Sequence, residues 1–346
     1  MNRRQITLAD LAKELGISTA TVSRALKDYP DISDETKARV LALAQEWNYR
    51  PNSMAAGLRK RESKVIGVII PDIINHFFSA VIKGIMSVAY EADYRVMLMQ
   101  SDEDYEKEQV DADALFASRV DGVLVSVAHG TQSYGHLTQF YQSGIPLVFF
   151  DKIPKDIQDC SKVMVDDFHG AYTMVEHLIQ QGCRKIAHFR GPMFASTSRN
   201  RYEGYKAALR RNKIPFDESL VKECIDISME EGKEYTKRLL EKAILFDGIF
   251  GVTDAVALGA IVALKEAGIS IPDDVAVAGF SDWSISSVLD PPLSTIAQPS
   301  EEMGTLAAKL LLKEISAMKE DLEFSPETIV LRTQLKTRQS SLRKSN

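Results

Sequence analysis

Thr19, Ala20, Ser23 and Arg24 crowd one side of the segment TATVSRALK, while Val22, Ala25 and Leu26 take the other. An arginine offers a planar fork of N–H donors that matches the two acceptors on a guanine edge. Hydroxyls donate or accept, and a small methyl group fits against a thymine methyl. A polar face of this kind, on a helix short enough to enter a groove, is suited to reading base edges in duplex DNA. A second set of polar groups lies far downstream. Asp72, Asn75 and Phe77 follow one apolar run, and Ser126 and Asp151 follow two more. Arg190, Ser196, Arg201, Thr253, Asp254, Ser281, Asp282 and Trp283 take corresponding places in the second half of the chain. Carboxylates, arginine, an amide and aromatic rings hold hydroxyl groups and stack on a pyranose face. They suit nucleosides and amino acids as well, so the ligand class they define is a small polar molecule.

Catalytic patterns are absent or incomplete. The chain has no GxxxxGK[ST] phosphate loop and no GxGxxG. GFSDW at 279–283 departs from the GxSxG nucleophile elbow at its last position, where tryptophan replaces a glycine that the sharp turn favours. His76, His129, His136, His169, His177 and His188 show no metal-ligand spacing, and the carboxylates of EDYEKEQVDAD read as a solvated helix face. Cys160, Cys183 and Cys224 are odd in number and widely spaced, which reads as buried free thiols. No cofactor and no metal are expected.

The first polar face needs a scaffold, and residues 7–27 supply one. Thr7 and Asp10 have the spacing of a capping box, and Leu8, Leu11, Ala12 and Leu15 make one apolar stripe. Gly16 stops that helix, and Ser18 caps the next. Two short helices around a glycine turn form a helix-turn-helix, whose second helix lies in the major groove. Ser33 starts a third helix, with Val40, Leu43, Ala44 and Trp47 on its buried face, and Pro51 ends it. Asn52 can cap a fourth helix, SMAAGLRK, too short to hold together alone in water. It is expected to order on DNA, with Leu58 as an apolar wedge beside Arg59, Lys60 and Arg61.

From Lys64 onward apolar runs alternate with amphipathic helices: KVIGVIIP, RVMLMQS, DGVLVSV and SGIPLVFFD, then RKIAHFRG, FDGIFGVTD and DDVAVAGFSDW. The second series echoes the first. Alternation of this kind implies parallel sheets covered by helices, here in two similar lobes, with ligands bound beyond the carboxyl ends of the strands.

Composition agrees with that division. The 346 residues carry a net charge of −6, but residues 1–64 hold 12 Lys+Arg against 8 Asp+Glu and the rest holds 30 against 40. A mildly basic head on an acidic body suits a protein whose head alone meets polyphosphate. The opening residues MNRRQITLADLAKEL lack the apolar run of a signal peptide, and no stretch of about 18 apolar residues occurs, so a cytoplasmic protein with no membrane partner is expected.

The head resembles that of the LacI/GalR family of bacterial transcription regulators through ITLADLAKELGIS, TATVSRALK, ISDETKARVLALAQEWNYRPN and the hinge AAGLR. The resemblance implies that Thr19, Ala20 and Arg24 read bases, and that Thr7, Ser18, Thr21 and Ser23 meet phosphates. It makes Leu58 the residue entering the minor groove, with Asn52 in the same DNA-contacting set. Ala56 stands where the family often has arginine, which removes one phosphate contact. The body is similar to the family's effector domain through NHFFSAVIKGI, DGVLV, FFD, RYEGYKAAL, TDAVALGA, IPDDVAVAGFSD and LSTIAQPSEEMG. That similarity implies effector hydroxyls on Arg201 and a lining from Asp151, Thr253, Ser281 and Phe78. The residue reading adds Asn75, Phe77, Ser126, Asp282 and Trp283. Thr253 and Ser281 depart from the asparagine and aspartate common there, which changes the hydrogen-bond set.

The expectation is therefore an α/β chain, with an N-terminal helix-turn-helix head and a two-lobed, periplasmic-binding-protein-like effector domain built on parallel sheets. The head spans 1–50 and the hinge 51–63. One lobe spans 64–163 with 295–322, the other 164–294 with 323–338, and 339–346 is a tail. The function expected is a ligand-controlled repressor that binds pseudo-palindromic operator DNA as a homodimer. Its effector would be a small molecule, a sugar or sugar derivative. LKTRQSSLRKSN has no leucine heptads, so no coiled-coil tetramer is expected. The competing reading is a cytoplasmic sugar-binding or sugar-processing protein with an accessory helical domain.

Overall fold

A computed structural model of the chain describes residues 6–50, 62–154, 157 and 159–343. It divides into two compact units, Met1–Ser63 and Lys64–Asn346. Asn52, Leu58 and the whole expected hinge helix lie outside the described residues.

The first unit holds three helices, α1 (Leu8–Leu15), α2 (Thr19–Ala25) and α3 (Asp34–Glu46). Thr7 and Asp10 form the expected capping box: the Asp10 N–H donates to Thr7 Oγ1 at 3.3 Å and the Thr7 N–H to Asp10 Oδ2 at 2.9 Å. Gly16 ends α1 at φ +66°, in the left-handed region that glycine reaches without a Cβ penalty. Ser18 and Ser33 cap the next two helices. Leu11, Ala12, Val22, Ala25, Val40 and Ala44 meet as a small core, ringed by half-buried Leu8, Leu15, Leu43 and Trp47. A core this size gives each capping hydroxyl a large share of the stability.

In the second unit, strands β1 (Val65–Ile70), β2 (Arg95–Gln100), β3 (Gly122–Val125), β4 (Leu147–Phe150), β5 (Ser161–Val165) and β11 (Thr328–Leu331) build a parallel sheet in the order β11-β5-β4-β3-β1-β2. Strands β6 (Ile186–Arg190), β7 (Val221–Glu223), β8 (Gly248–Gly251) and β9 (Ala276–Ala278) build a second, in the order β7-β6-β8-β9. The first sheet is flanked by α4 (His76–Glu91), α5 (Tyr105–Ala117), α6 (Gly135–Gln142) and α11 (Ser300–Lys319). The second is flanked by α7 (Asp167–Gln180), α8 (Ser196–Arg211), α9 (Met229–Glu241) and α10 (Asp254–Glu266). Each sheet separates two apolar clusters, as parallel sheets buried on both faces require.

The duplication read from the sequence extends to helix packing. A Cβ on Gly84 of α4 would stand 2.2 Å from the Glu301 carbonyl oxygen, and one on Gly304 of α11 1.9 Å from that of Val81. The other lobe repeats the device, with Gly232 of α9 against Val256 O at 2.1 Å and Gly259 of α10 against Met229 O at 1.9 Å. Backbone-to-backbone contact of this kind leaves no room for a methyl group.

Three expectations need correction. Strand β11 pairs with β5, so 328–331 belongs to the first lobe. The segment β10 (Thr295–Ala297) pairs with β12 (Gln334–Lys336) and is bridged to Ala278 and Ser281, so 295–297 belongs to the second. The chain thus crosses between lobes after β5, after β10 and between β11 and β12. The runs involved are three or four residues long, too short for their sheet to be told from pattern. Second, the last residues are no tail: Ser340 and Ser341 are buried, with Ser340 Oγ donating to Val277 O at 2.6 Å and Ser341 Oγ 2.7 Å from His177 Nε2. Third, the acidic helix face is not wholly solvated. Glu108 is fully buried and accepts from the Ala128 N–H at 2.6 Å and Thr131 Oγ1 at 2.9 Å, beside His136 Nε2 at 2.8 Å. It falls on the side of α5 that carries Ala112 and Leu115, and its polar partners lie on the loop after β3.

Gly304→Ala should force α4 and α11 apart. An unfolding free energy lowered by about 1–3 kcal/mol, read from urea denaturation, is expected, as for other overpacked cores; an unchanged value would show that the crossing has slack.

Candidate nucleic-acid interface and ligand cleft

On α2, Val22 and Ala25 face the core, and Thr19, Ala20 and Arg24 are exposed. The face predicted from residue types is therefore turned outward. Ser18 Oγ accepts from the Thr21 N–H at 3.1 Å and lies 2.9 Å from Thr21 Oγ1; Thr7 Oγ1 donates to Asp10 Oδ2 at 2.7 Å. These hydroxyls, expected on phosphates, are engaged in capping. Ser23 is half-buried. The Arg24 guanidinium forms an ion pair with Asp31 and lies 5.5 Å from the centre of the Tyr29 ring, with about half of its side chain still exposed.

In the second unit the strand registers bring loops together. Ile70 pairs with Gln100 and Ile69 with Val125, so the loops after β1, β2 and β3 leave one edge side by side. Arg190 pairs with Glu223, which does the same for the loops after β6 and β7. Between them lies a cavity of about 540 Å³ lined by Pro71, Asp72, Asp102, Glu103, Asp104, His129 and Gly130 from one lobe and Pro192, Phe194, Ile225 and Asp226 from the other. Its position beyond the carboxyl ends of both sheets is where open parallel sheets bind ligands.

Arg201, on α8, is buried and held on three sides. Its Nε donates to Asp167 Oδ1 at 2.8 Å and its Nη1 to Val252 O at 2.7 Å, and the guanidinium stacks 3.7 Å from the Phe280 ring centre. Asp167 is its charge partner. Two of its five N–H donors are accounted for, and Arg201 is not among the residues that line the cavity. Asp151 follows β4 at φ +58° and is buried. Burial pushes its carboxyl up to about 7, an effect that Lys152 and Arg201 oppose and Asp167 reinforces. Ser126, after β3, is fully buried with its hydroxyl unpartnered.

The other expected residues are more committed. Asn75 caps α4, accepting from the Phe77 N–H at 3.0 Å. Phe77 and Phe78 are both buried, edge to face at 5.1 Å, with Phe78 under Lys152. Thr253, not Asp254, caps α10. Asp254 instead accepts from Thr295 Oγ1 at 2.5 Å, Ser286 Oγ at 2.7 Å and the Trp283 N–H at 2.8 Å, so it shapes the loop 281–286. Ser281 Oγ donates to Gln298 Oε1 at 2.9 Å, and Asp282 Oδ1 accepts from Arg338 Nη2 at 2.7 Å. Arg190 is paired with Glu223 at 2.8 Å, and Ser196 Oγ accepts the Ile153 N–H at 3.1 Å.

Glu103, His129, Lys152, Phe194 and Asp226 were not singled out from the sequence. The rule that ligands sit past strand ends, applied to RVMLMQS, would have found Glu103. Phe194 and Asp226 follow β6 and β7 in the same way. His129 is pushed down to about 3, first by burial and then by Lys152, so its imidazole is neutral at physiological pH.

A carboxyl that ionises near 7 in the folded state and near 4 unfolded binds a proton preferentially when folded, so stability falls as pH rises from about 4 to about 7 and stays reduced above. Asp151→Asn should remove that fall. The variant is expected to be more stable than the parent at pH 8, on the order of 1–3 kcal/mol. Parallel stability curves from pH 4 to 8 would show that Asp151 ionises normally.

A model of the bacterial regulatory proteins of the lacI family matches residues 7–52, and a periplasmic binding protein-like domain matches 175–341. The chain is 35% identical to a ribose operon repressor of Halalkalibacterium halodurans over 309 residues, 89% of this chain and 90% of that one. It is 32% identical to the transcriptional repressor PurR of Actinobacillus pleuropneumoniae over 334 residues, 96% of this chain and 98% of PurR. The lac repressor dimer, solved with operator and the anti-inducer ONPF, superposes with a TM-score of 0.82 at 26% identity, covering 98% of this chain and all of that one. A LacI family regulator from Enterococcus faecium with bound ribose gives 0.71 at 29% identity, over 80% of this chain and 98% of its own. With an outward-facing helix-turn-helix and a two-lobed receptor fold on one chain, the protein belongs to the LacI family of bacterial transcription regulators.

Proposed function

We propose that the chain is a cytoplasmic repressor that binds a pseudo-palindromic operator as a homodimer and is switched by a small polar effector, a sugar or sugar derivative. The observation that carries the reading is the pairing of an uncovered base-reading face on α2 with a cavity beyond the carboxyl ends of two parallel sheets. In this reading Thr19, Ala20 and Arg24 meet base edges, and Thr7, Ser18, Thr21 and Ser23 meet phosphates. Asn52 and Leu58, outside the described residues, complete the DNA contacts. Arg201, Asp151 and Ser126 take effector hydroxyls, with Phe77 and Phe78 behind them. Asn75, Thr253, Ser281 and Asp282, whose side chains are already engaged, and Trp283 support the pocket from behind its lining.

A second copy is supported by exposed apolar groups. Met86 and Tyr90, four residues apart on α4, and Met97 on the edge strand β2 are 54%, 86% and 37% exposed. An open strand edge beside an apolar helix stripe is a surface that a partner covers. The relatives support the rest: the lac repressor is solved as a dimer on operator, and a family member holds ribose. Among the described residues no helix is long and apolar enough to cross a membrane. Effector binding would close the lobes about the three crossing segments and so change the spacing of the two hinges and heads.

Arg24→Ala is expected to cost about 1–3 kcal/mol in binding to a promoter fragment of its own gene and to relax preference at one base pair. Gel retardation at low salt reads this, and an unaltered base preference would strip Arg24 of its role. Operator and effector should shift each other's affinity by one common factor, of about 5–150. Independent titrations in the two orders check it, and unequal factors would rule out the simple two-state switch.

A further inference from the structure

We infer that the cleft selects an uncharged polyhydroxylated ligand over its phosphate ester, and that Glu103 is the residue that sets this choice. The inference rests on the reading of the cleft as an effector site, and it adds the charge class of the ligand and a residue outside the expected set.

Glu103 enters the cavity wall through an uncommon backbone. Asp102 and Glu103 are consecutive left-handed residues, at φ +53° and +59°, and neither is glycine. Side chains around them hold that conformation: Lys107 Nζ donates to Asp102 Oδ2 at 2.6 Å, the His129 N–H donates to Glu103 Oε2 at 2.7 Å, and Lys152 Nζ donates to Glu103 Oε1. Non-glycine residues in this region tend to gather at functional sites. The Glu103 carboxylate accepts one bond on each oxygen, so each keeps acceptor capacity for a ligand hydroxyl. Burial opposes its ionisation, but the Lys152 charge and the His129 N–H outweigh that and hold the carboxyl below its usual range.

The charges around the cavity do not favour an anion. Lys152 is paired with Glu103, Lys107 with Asp102, Arg190 with Glu223 and Arg201 with Asp167. Asp72, Asp104 and Asp226 line the cavity in addition, from both lobes, and the His129 ring adds no positive charge. A phosphate dianion entering here would meet a surplus of carboxylates and cations already matched. Hydroxyl groups meet a better fit, since each can donate to a carboxylate and accept from an N–H. Deeper in, the Asp151 side chain is nine-tenths buried. It feels Arg201 and Asp167 as well as Lys152 and Glu103, which places it where the lobes meet. The unpartnered Ser126 hydroxyl is a second buried polar group.

The test is calorimetric titration of the full chain with D-ribose, D-glucose and D-galactose and with ribose 5-phosphate, glucose 6-phosphate and galactose 6-phosphate. At least one free sugar should bind, and its ester should bind at least 100-fold more weakly. Glu103→Gln should weaken the free sugar at least tenfold and narrow the gap to the ester, because Lys152 is released. Asp226→Asn, an exposed change on the opposite wall that leaves packing alone, should narrow the gap without losing the sugar. An ester that binds as tightly as its sugar overturns the inference, as does a gap that both variants leave unchanged. Silence of all six compounds, with operator binding intact, overturns the ligand class and leaves the regulatory reading standing. Loss of sequence-selective DNA binding by the parent strikes that reading instead.

Discussion

The Arg201–Asp167 pair is the contact on which the arrangement of the cleft depends. Both side chains are almost wholly buried. Burying two charges costs several kcal/mol per ion unless the geometry compensates, and here it does: a 2.8 Å ion pair, a carbonyl at 2.7 Å and an aromatic face at 3.7 Å surround one guanidinium. The partners are informative. Asp167 begins the helix that follows the first crossing between lobes, Val252 follows β8, and Phe280 follows β9. One side chain thus ties two strand ends to a crossover. Replacing a single partner would leave an uncompensated buried charge, a loss of about 3–5 kcal/mol in comparable cases.

Unusual backbone conformations gather at strand ends. Asp102, Glu103, Asp151, Ser281 and Asp282 all have positive φ, and all follow strands. Each is stabilised by contacts the rest of the fold provides, among them Lys107, Lys152, Gln298 and Arg338. The sheets and the glycine-mediated helix crossings are rigid, so the irregular turns between them can be held in place. Of these five, Asp102 and Glu103 line the cavity.

The head follows a different economy. Its core is six small or medium apolar residues, and hydroxyl caps start all three helices. Two of these hydroxyls, Thr7 and Ser18, belong to the set expected on DNA phosphates, and a hydroxyl that accepts a capping N–H still carries a proton of its own. Arg24 is likewise engaged with Asp31 and Tyr29 before any base arrives.

Local rules were enough to read the three head helices, their caps and the outward face of α2, because spacing, a capping hydroxyl and a terminal glycine act within a few residues. The same holds for the alternation of strands and helices and for the repeat of one lobe in the other. Family resemblance implied Arg201 and Asp151 as effector residues, and neither is among the residues that line the cavity. What no local pattern contained was pairing over long separations. Asp167 lies 34 residues from Arg201, and β11 finds the first sheet while β10 and β12 join the second lobe. Glu108 turns inward from a run of charges, and Ser340 and Ser341 close on the core. Glu103 and His129 become neighbours only when parallel strands come into register. Periodicity reports which face of an element is apolar, but it carries no information about which distant charge will neutralise a buried one; that choice is made by the assembled sheets.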